Sequence, residues 1–198
     1  MTELPERLEH LFRPVDAWGE FRKGARPAAV AFILYRQAGR WMVPFVRRRG
    51  DLRDHPGQVA LPGGGVQPGE TAWEAAQREV AEEIGVPLGS LMPIGAGDPI
   101  YAAVSNFSVV PFVAYLPDPV PPFVHDAREL EGVLAIPLDR LLDDSAWLQS
   151  DDQWRFRYLA HEESVVWGLT ERIVYGLSPR LRQGLSEDQS SDLPTVER

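Results

Sequence analysis

Apolar and polar positions along this chain fall into blocks of helix and strand length. Leu4, Leu8, Leu11 and Phe12 recur at helical spacing, which predicts a helix or two over residues 2–22, broken at Pro14. Two apolar runs of strand length follow, Ala28 to Tyr35 and Trp41 to Arg47. The Gln-Ala-Gly-Arg turn between them predicts a hairpin. Pro44 weakens the second strand or places it at a sheet edge. Trp73, Ala76, Val80 and Ile84 form an apolar helical stripe, opened at Glu70-Thr71 and stopped at Gly85. Further strands are expected over Leu91 to Ala96, Ser108 to Leu116, Glu129 to Ile136 and Trp154 to Ala160. Pro99 to Phe107 and Pro117 to Pro122 read as loops, the first near any cleft. Residues 137–142 form a short helix with Pro at its start, and Val166 to Leu177 a last helix. The pattern alone gives a mixed α and β domain. We divide it into an N-terminal helical segment packed on the domain (1–27), the domain itself (28–182) and a disordered polar tail (183–198).

Composition narrows the function. The chain has no Cys, so disulfides and thiol catalysis are excluded. A net charge of −9 argues against a general nucleic-acid binder, which needs a basic surface. No apolar run is long enough to span a bilayer, so no membrane partner is expected. The N-terminus lacks a basic start followed by an apolar core, so no secretory signal is expected and the cytoplasm is the expected location.

The chemistry concentrates in Gly64 to Val86, where a Gly- and Pro-rich loop runs into the amphipathic helix. Glu79, Glu82 and Glu83 stand at i, i+3 and i+4 and share one face, away from the apolar stripe. Like charges so spaced repel, and a hard divalent cation held by carboxylate oxygens would offset that. A solvated acidic face is the alternative reading. Arg78 lies within i+4 reach of both Glu74 and Glu82. Upstream, Arg47, Arg48, Arg49, Arg53 and His55 run directly into this loop, so their charge would lie near any phosphate held there. Arg suits phosphate because its planar fork binds two oxygens.

The spacing is Gly64, five residues, Glu70, seven residues, Arg78-Glu79, an aliphatic residue, any residue, Glu82-Glu83, any residue, Gly85 and an aliphatic residue. It resembles the signature of the Nudix hydrolase superfamily with no departure at a fixed position. The resemblance implies a Nudix α/β/α sandwich with a mixed central β-sheet. It also implies hydrolysis of a small-molecule diphosphate with Mg2+ or Mn2+. Carried over position by position, Glu79 and Glu83 would be the main metal ligands, with Glu82 and the Gly64 carbonyl joining them. Glu70 would pair with Arg78 to hold the loop on the helix. Glu83 is our first choice for the base, with Glu82 and Glu129 behind it.

A second resemblance concerns the substrate. Arg48, Leu52, Arg53, His55, Gly57, Pro62, Gly63 and Gly64 match, in register, the extra motif that Nudix enzymes acting on coenzyme A carry before the signature. Trp167-Gly168-Leu169-Thr170 resembles the opening of that group's last helix, which would floor the cleft. This implies that Arg48, Arg53, His55, Gly57 and Gln58 meet the substrate. The chain departs with Pro44-Phe45-Val46 for Leu-Leu-Thr, Arg49 for Ser and Leu61 for Phe. ADP-ribose, a dinucleotide or a damaged nucleotide is the alternative substrate, and a sensor that binds without cutting is the alternative function. Whether the chain pairs as a homodimer is left open.

Overall fold

Successive residues of β1 (Arg26–Gln37) point to opposite faces. Ala29, Ala31, Ile33 and Tyr35 are buried on one side, Ala28, Phe32 and Leu34 on the other, so this strand is covered twice. The computed structural model describes residues 3–51, 57–151 and 155–190, with side chains as far as 186. A two-residue turn at Ala38-Gly39, both with positive φ, reverses β1 into β2 (Arg40–Arg48). β3 (Val59–Ala60) adds to β2. β4 (Gly63–Gly65) adds antiparallel to β1, with Gly64 opposite Ala29. β5 (Met92–Ala96) and β6 (Ile100–Ala102) pair with β7 (Phe107–Tyr115), which runs parallel to β1. β8 (Leu130–Pro137) pairs with β2. Together they make a mixed eight-stranded sheet.

Each face has its own cover. α2 (Ala72–Ile84) lays Ala75, Ala76, Val80 and Ile84 on one face, among Ala31, Ile33, Phe112 and Ala114. The other face carries α1 (Leu4–Glu9), α3 (Leu138–Leu142) and α4 (Leu169–Ser190), with Leu4, Leu8, Leu141, Ile173, Leu177 and Leu181 buried against Phe32, Phe45 and Val113. A small antiparallel sheet of β9 (Trp147–Gln149), β10 (Arg157–His161) and β11 (Ser164–Trp167) sits beside α4. This is the α/β/α sandwich with a mixed central sheet that the resemblance implies. Among the described residues no helix is long and apolar enough to cross a membrane.

Several expectations need correction. Among the described residues of the first 22, only Leu4–Glu9 is helical. The helix stops at the His10 cap, Pro14 and the positive φ of Gly19 disfavour its resumption, and Arg13 instead bridges to Ala96 of β5. Pro44 lies inside β2 rather than at a sheet edge, opposite Ala135 of β8. It is tolerated because β2 leaves β1 after Met42 and meets β3 only at Val46, so one flank has no ladder at that point. The loop over 99–107 contains β6. The last helix starts at Leu169, not Val166, because residues 164–167 pair with β10 and Gly168 turns the chain with positive φ. It also continues past 182 to Ser190, and Leu181 and Leu185 pack on the core. Of the predicted strand starting at Trp154, that residue lies outside the described ones.

Candidate active site

The site is built where β4 turns into α2. Thr71 caps the helix, accepting from the Glu74 N–H while the Glu74 carboxylate accepts from the Thr71 N–H. Gly85 ends it in a left-handed conformation. With its ends fixed and its stripe buried, α2 presents Arg78, Glu79, Glu82 and Glu83 to a cleft of about 600 Å³, which Gln67, Asp126, Arg128, Glu129 and Leu130 also line.

Arg78 is the hub. Its Nε and Nη2 donate to the two Glu70 carboxylate oxygens at 3.1 and 2.9 Å, and Nη2 also donates to the Gly65 carbonyl at 3.0 Å. Nη1 donates to Glu79 at 2.7 Å and to Glu82 at 3.3 Å. The Glu70 carboxylate further accepts the Gln67 N–H at 2.6 Å. These bonds tie the 65–70 loop to the helix. They hold the Glu70 carboxyl below its ordinary range and raise the Arg78 guanidinium. Arg78 does not reach Glu74, which is turned back into the cap.

Glu79 and Glu83 meet the glycine loop directly. A β-carbon at Gly64 would lie 2.4 Å from the Glu79 carboxylate. Glu83 is half-buried and accepts the Gly63 N–H at 2.9 Å. Burial, first, pushes its carboxyl up to about 7. Glu79 and Glu129 push the same way, while Gly63 and Arg48 oppose them. Glu82 is the exposed member, at 61%.

The Arg run sorts into distinct roles. Arg47 lies 2.9 Å from Glu131 and donates to Ser164. Arg49 makes two bonds to Asp51 and one to the Ala127 carbonyl, so the added charge of this position is neutralised within the loop. Arg48 is different. Its nearest acidic partner is Glu129 at 4.0 Å, and its buried Nε has no hydrogen-bond partner among the described residues. The Gly57 N–H donates to the Arg49 carbonyl and the Arg48 N–H to the Gln58 carbonyl, which seats both residues beside β2. Arg53, His55 and Leu52 lie outside the described residues. Leu61 is 3% exposed and packs in the core.

α4 does not floor the cleft. Its stripe packs on the opposite sheet face, and Thr170 donates to the Val59 carbonyl there. Asp126, Arg128 and Gln67 were not singled out in the sequence. The only signal was the charged run His125 to Glu131 before an apolar strand. Among the described residues no three acidic or imidazole side chains converge as a ready ion cluster, because Arg78 and the Gly63 N–H each hold a carboxylate apart. The donor set is nonetheless all oxygen, and mutually repelling carboxylates beside a half-buried Glu83 fit a hard divalent cation.

Residues 25–160 match the family model of the NUDIX domain. The chain belongs to the Nudix family. Among its Nudix relatives, Nudix hydrolase 3 of Caenorhabditis elegans is 33% identical over 153 residues, which cover 67% of this chain and 63% of that protein. The uncharacterized Nudix hydrolase NudL of Yersinia enterocolitica is 35% identical over 130 residues, covering 63% of this chain and 66% of that protein. The chain thus spans just under two thirds of the length of these relatives. Solved Nudix structures share the fold. RenU, a Nudix hydrolase of M. smegmatis, superposes with a TM-score of 0.54 at 18% identity, over 92% of this chain and 99% of that one. The C. elegans Ap4A hydrolase binary complex gives 0.53 at 19% identity, over 84% and 98%.

Proposed function

We propose that the chain hydrolyses a pyrophosphate bond in the cleft beside α2, and that its preferred substrate is coenzyme A or an acyl-coenzyme A. The products would be (acyl-)phosphopantetheine and adenosine 3′,5′-bisphosphate. One observation carries the reading: Glu79, Glu82, Glu83 and Glu129 line a single cleft with Arg78 and Arg128. Glu79 and Glu83, with Glu82 and the Gly64 carbonyl, are the groups that would hold Mg2+ or Mn2+. When bound, such an ion neutralises phosphoryl charge and makes water more acidic. Water adds to one phosphorus, the bridging P–O bond breaks, and Glu83 takes the proton that the water gives up. Glu82 and Glu129 are the alternative proton acceptors. Arg78 and Glu70 act as positioning residues that fix the loop.

Coenzyme A as substrate is supported by the register of Arg48, Arg53, His55 and Gly57 and by the state of Arg48. The Arg48 side chain is 28% exposed and its Nη1 stands 4.0 Å from Glu129, which lines the cleft, and its planar fork suits a phosphate group of the ligand. The test is a panel of coenzyme A, dephospho-coenzyme A and ADP-ribose with magnesium and with manganese, products identified by mass. The expected order of kcat/KM places coenzyme A first. Arg48→Ala should lower coenzyme A turnover more than ADP-ribose turnover. A clear preference for ADP-ribose would remove coenzyme A and leave pyrophosphate hydrolysis; no cleavage of any member would remove both.

A further inference from the structure

Among the described residues that line the cleft, only Arg78 and Arg128 carry positive charge, against five carboxylates. A guanidinium has five N–H donors, and those of Arg78 are all taken. Its five bonds go to Glu70, Glu79, Glu82 and the Gly65 carbonyl. Arg128 is held by one edge only. Its Nε and Nη2 donate to the Asp126 carboxylate at 3.0 and 2.6 Å, and its Nη1 has no hydrogen bond to a described residue. A phosphate entering the cleft therefore finds a donor on Arg128 without breaking any bond that the protein makes.

An exposed arginine is ordinarily a solvated surface charge, and Arg128 is 89% exposed. What sets it apart is how firmly its base is held. The Asp126 carboxylate also accepts the Arg128 backbone N–H at 2.9 Å, and the Asp126 carbonyl accepts the N–H groups of Glu129 and Leu130. Residues 126–130 are thus a closed turn. Arg49 clasps that turn from the neighbouring loop. Its backbone N–H donates to the Glu129 carbonyl at 3.0 Å, and its Nη1 to the Ala127 carbonyl at 2.9 Å.

The two arginines are built alike. Asp51 grips the Nε and Nη2 edge of Arg49 at 2.8 and 2.6 Å, as Asp126 grips that edge of Arg128. Each carboxylate stands two residues from its arginine. In Arg49 the remaining Nη1 is spent on the turn; in Arg128 it is unspent. Position 49 is also where the chain departs from the coenzyme A motif, with Arg for Ser. A serine has a single hydroxyl and could not make the three side-chain bonds that join Asp51 to the Ala127 carbonyl.

We propose that Arg128 contacts the substrate, its open Nη1 donating to a phosphate oxygen of the diphosphate, and that Arg49 is a positioning residue fixing the turn on which Arg128 stands. A guanidinium already held in place gives up less freedom when it binds. The proposal rests on the hydrolase reading above and is independent of the organic group that the diphosphate carries.

The experiment is a double-mutant cycle read in steady-state kinetics. Arg128→Ala should raise KM about tenfold for coenzyme A and for ADP-ribose alike, the loss expected for one charge-assisted hydrogen bond to phosphate, with the larger part of the change in KM rather than kcat. Inorganic pyrophosphate should inhibit the unaltered chain, and its inhibition constant should rise by a similar factor in Arg128→Ala. Arg49→Ser should raise KM about threefold on its own and add nothing in a chain that already carries Arg128→Ala, because it acts through that residue. A merely structural role for Arg49 would give additive losses instead. The Arg49 side chain is 41% exposed and that of Arg128 89%, so both variants should fold, and melting curves check it. Unchanged KM in Arg128→Ala, or a loss confined to one of the two substrates, would overturn the contact; additive losses would overturn the positioning role. In each case pyrophosphate hydrolysis stands. Failure of the unaltered chain to cleave either diphosphate would instead overturn the reading beneath.

Discussion

Gly64 and Glu79 are in such close contact that a β-carbon on the first would lie 2.4 Å from the carboxylate of the second. The glycine is there because Glu79 needs the space. Gly64→Ala should displace the carboxylate by about an ångström and lower kcat about a hundredfold, as misplacements of that size do. The fold should persist, because the displaced group is the end of a side chain. Gly63→Ala is the contrasting case. Its β-carbon would lie 2.3 Å from the Ala29 carbonyl at a positive φ, so the backbone itself must move. Thermal melts and kinetics should separate the two: activity lost at 64, fold lost at 63. Full activity in Gly64→Ala would contradict the placement of Glu79 in the site.

Arg78 holds Glu70, Glu79 and the Gly65 carbonyl at once. The Arg78 and Glu70 side chains retain 20% and 16% of their exposure. Removing Arg78 therefore leaves two carboxylates uncompensated in a partly screened setting. Arg78→Ala should cost about 2 kcal/mol, below the value for a fully buried pair. A double-mutant cycle with Glu70→Gln should give coupling of about 1 kcal/mol in urea denaturation. The Glu70 carboxyl is held below its ordinary range, chiefly by the Arg78 hydrogen bonds. Its stabilisation is thus present above the ordinary carboxylate value and lost as pH falls through the folded one. That acid-dependent part should shrink in Arg78→Ala, and strict additivity would separate the two residues.

Glu83 titrates in the opposite sense. Its carboxyl rises from an ordinary 4.5 to about 7, mainly through burial. Between those values the folded chain keeps a proton that the unfolded chain has lost, so the ion-free protein should lose stability as pH rises through the window. Melting curves in EDTA from pH 5 to 8 should fall more steeply for the unaltered chain than for Glu83→Gln. Magnesium at pH 8 should restore part of the loss. Parallel curves for the two chains would show that Glu83 is not the strained group.

Much of this site was legible in the sequence because it is local. Glu70, Arg78, Glu79, Glu82 and Glu83 sit on one loop and one helix, and the cap at Thr71 and stop at Gly85 fix their phase. What spacing could not show is long-range. Asp126, Arg128 and Glu129 reach the cleft because β8 pairs with β2, a contact across roughly ninety positions that no periodicity encodes. The start of α4 was misplaced for a similar reason. Val166 fits a helical stripe as well as a strand, and pairing of Leu159 with Val166 decided it. The Arg run looked uniform in sequence, yet Asp51 and Ala127 engage Arg49 while Arg48 turns toward Glu129 of the cleft.

The central claim is that the carboxylates on α2 perform metal-dependent cleavage of a diphosphate. The most direct test is the turnover of coenzyme A at saturating magnesium by the unaltered chain, Glu79→Gln and Glu83→Gln, with an EDTA control. Each substitution keeps size and removes a charged oxygen away from the packing stripe, so both variants should fold. We expect kcat to fall by at least about a hundredfold in each, the usual scale for groups that stabilise transition-state charge, and EDTA to abolish cleavage. Near-unaltered turnover in both variants would contradict the account.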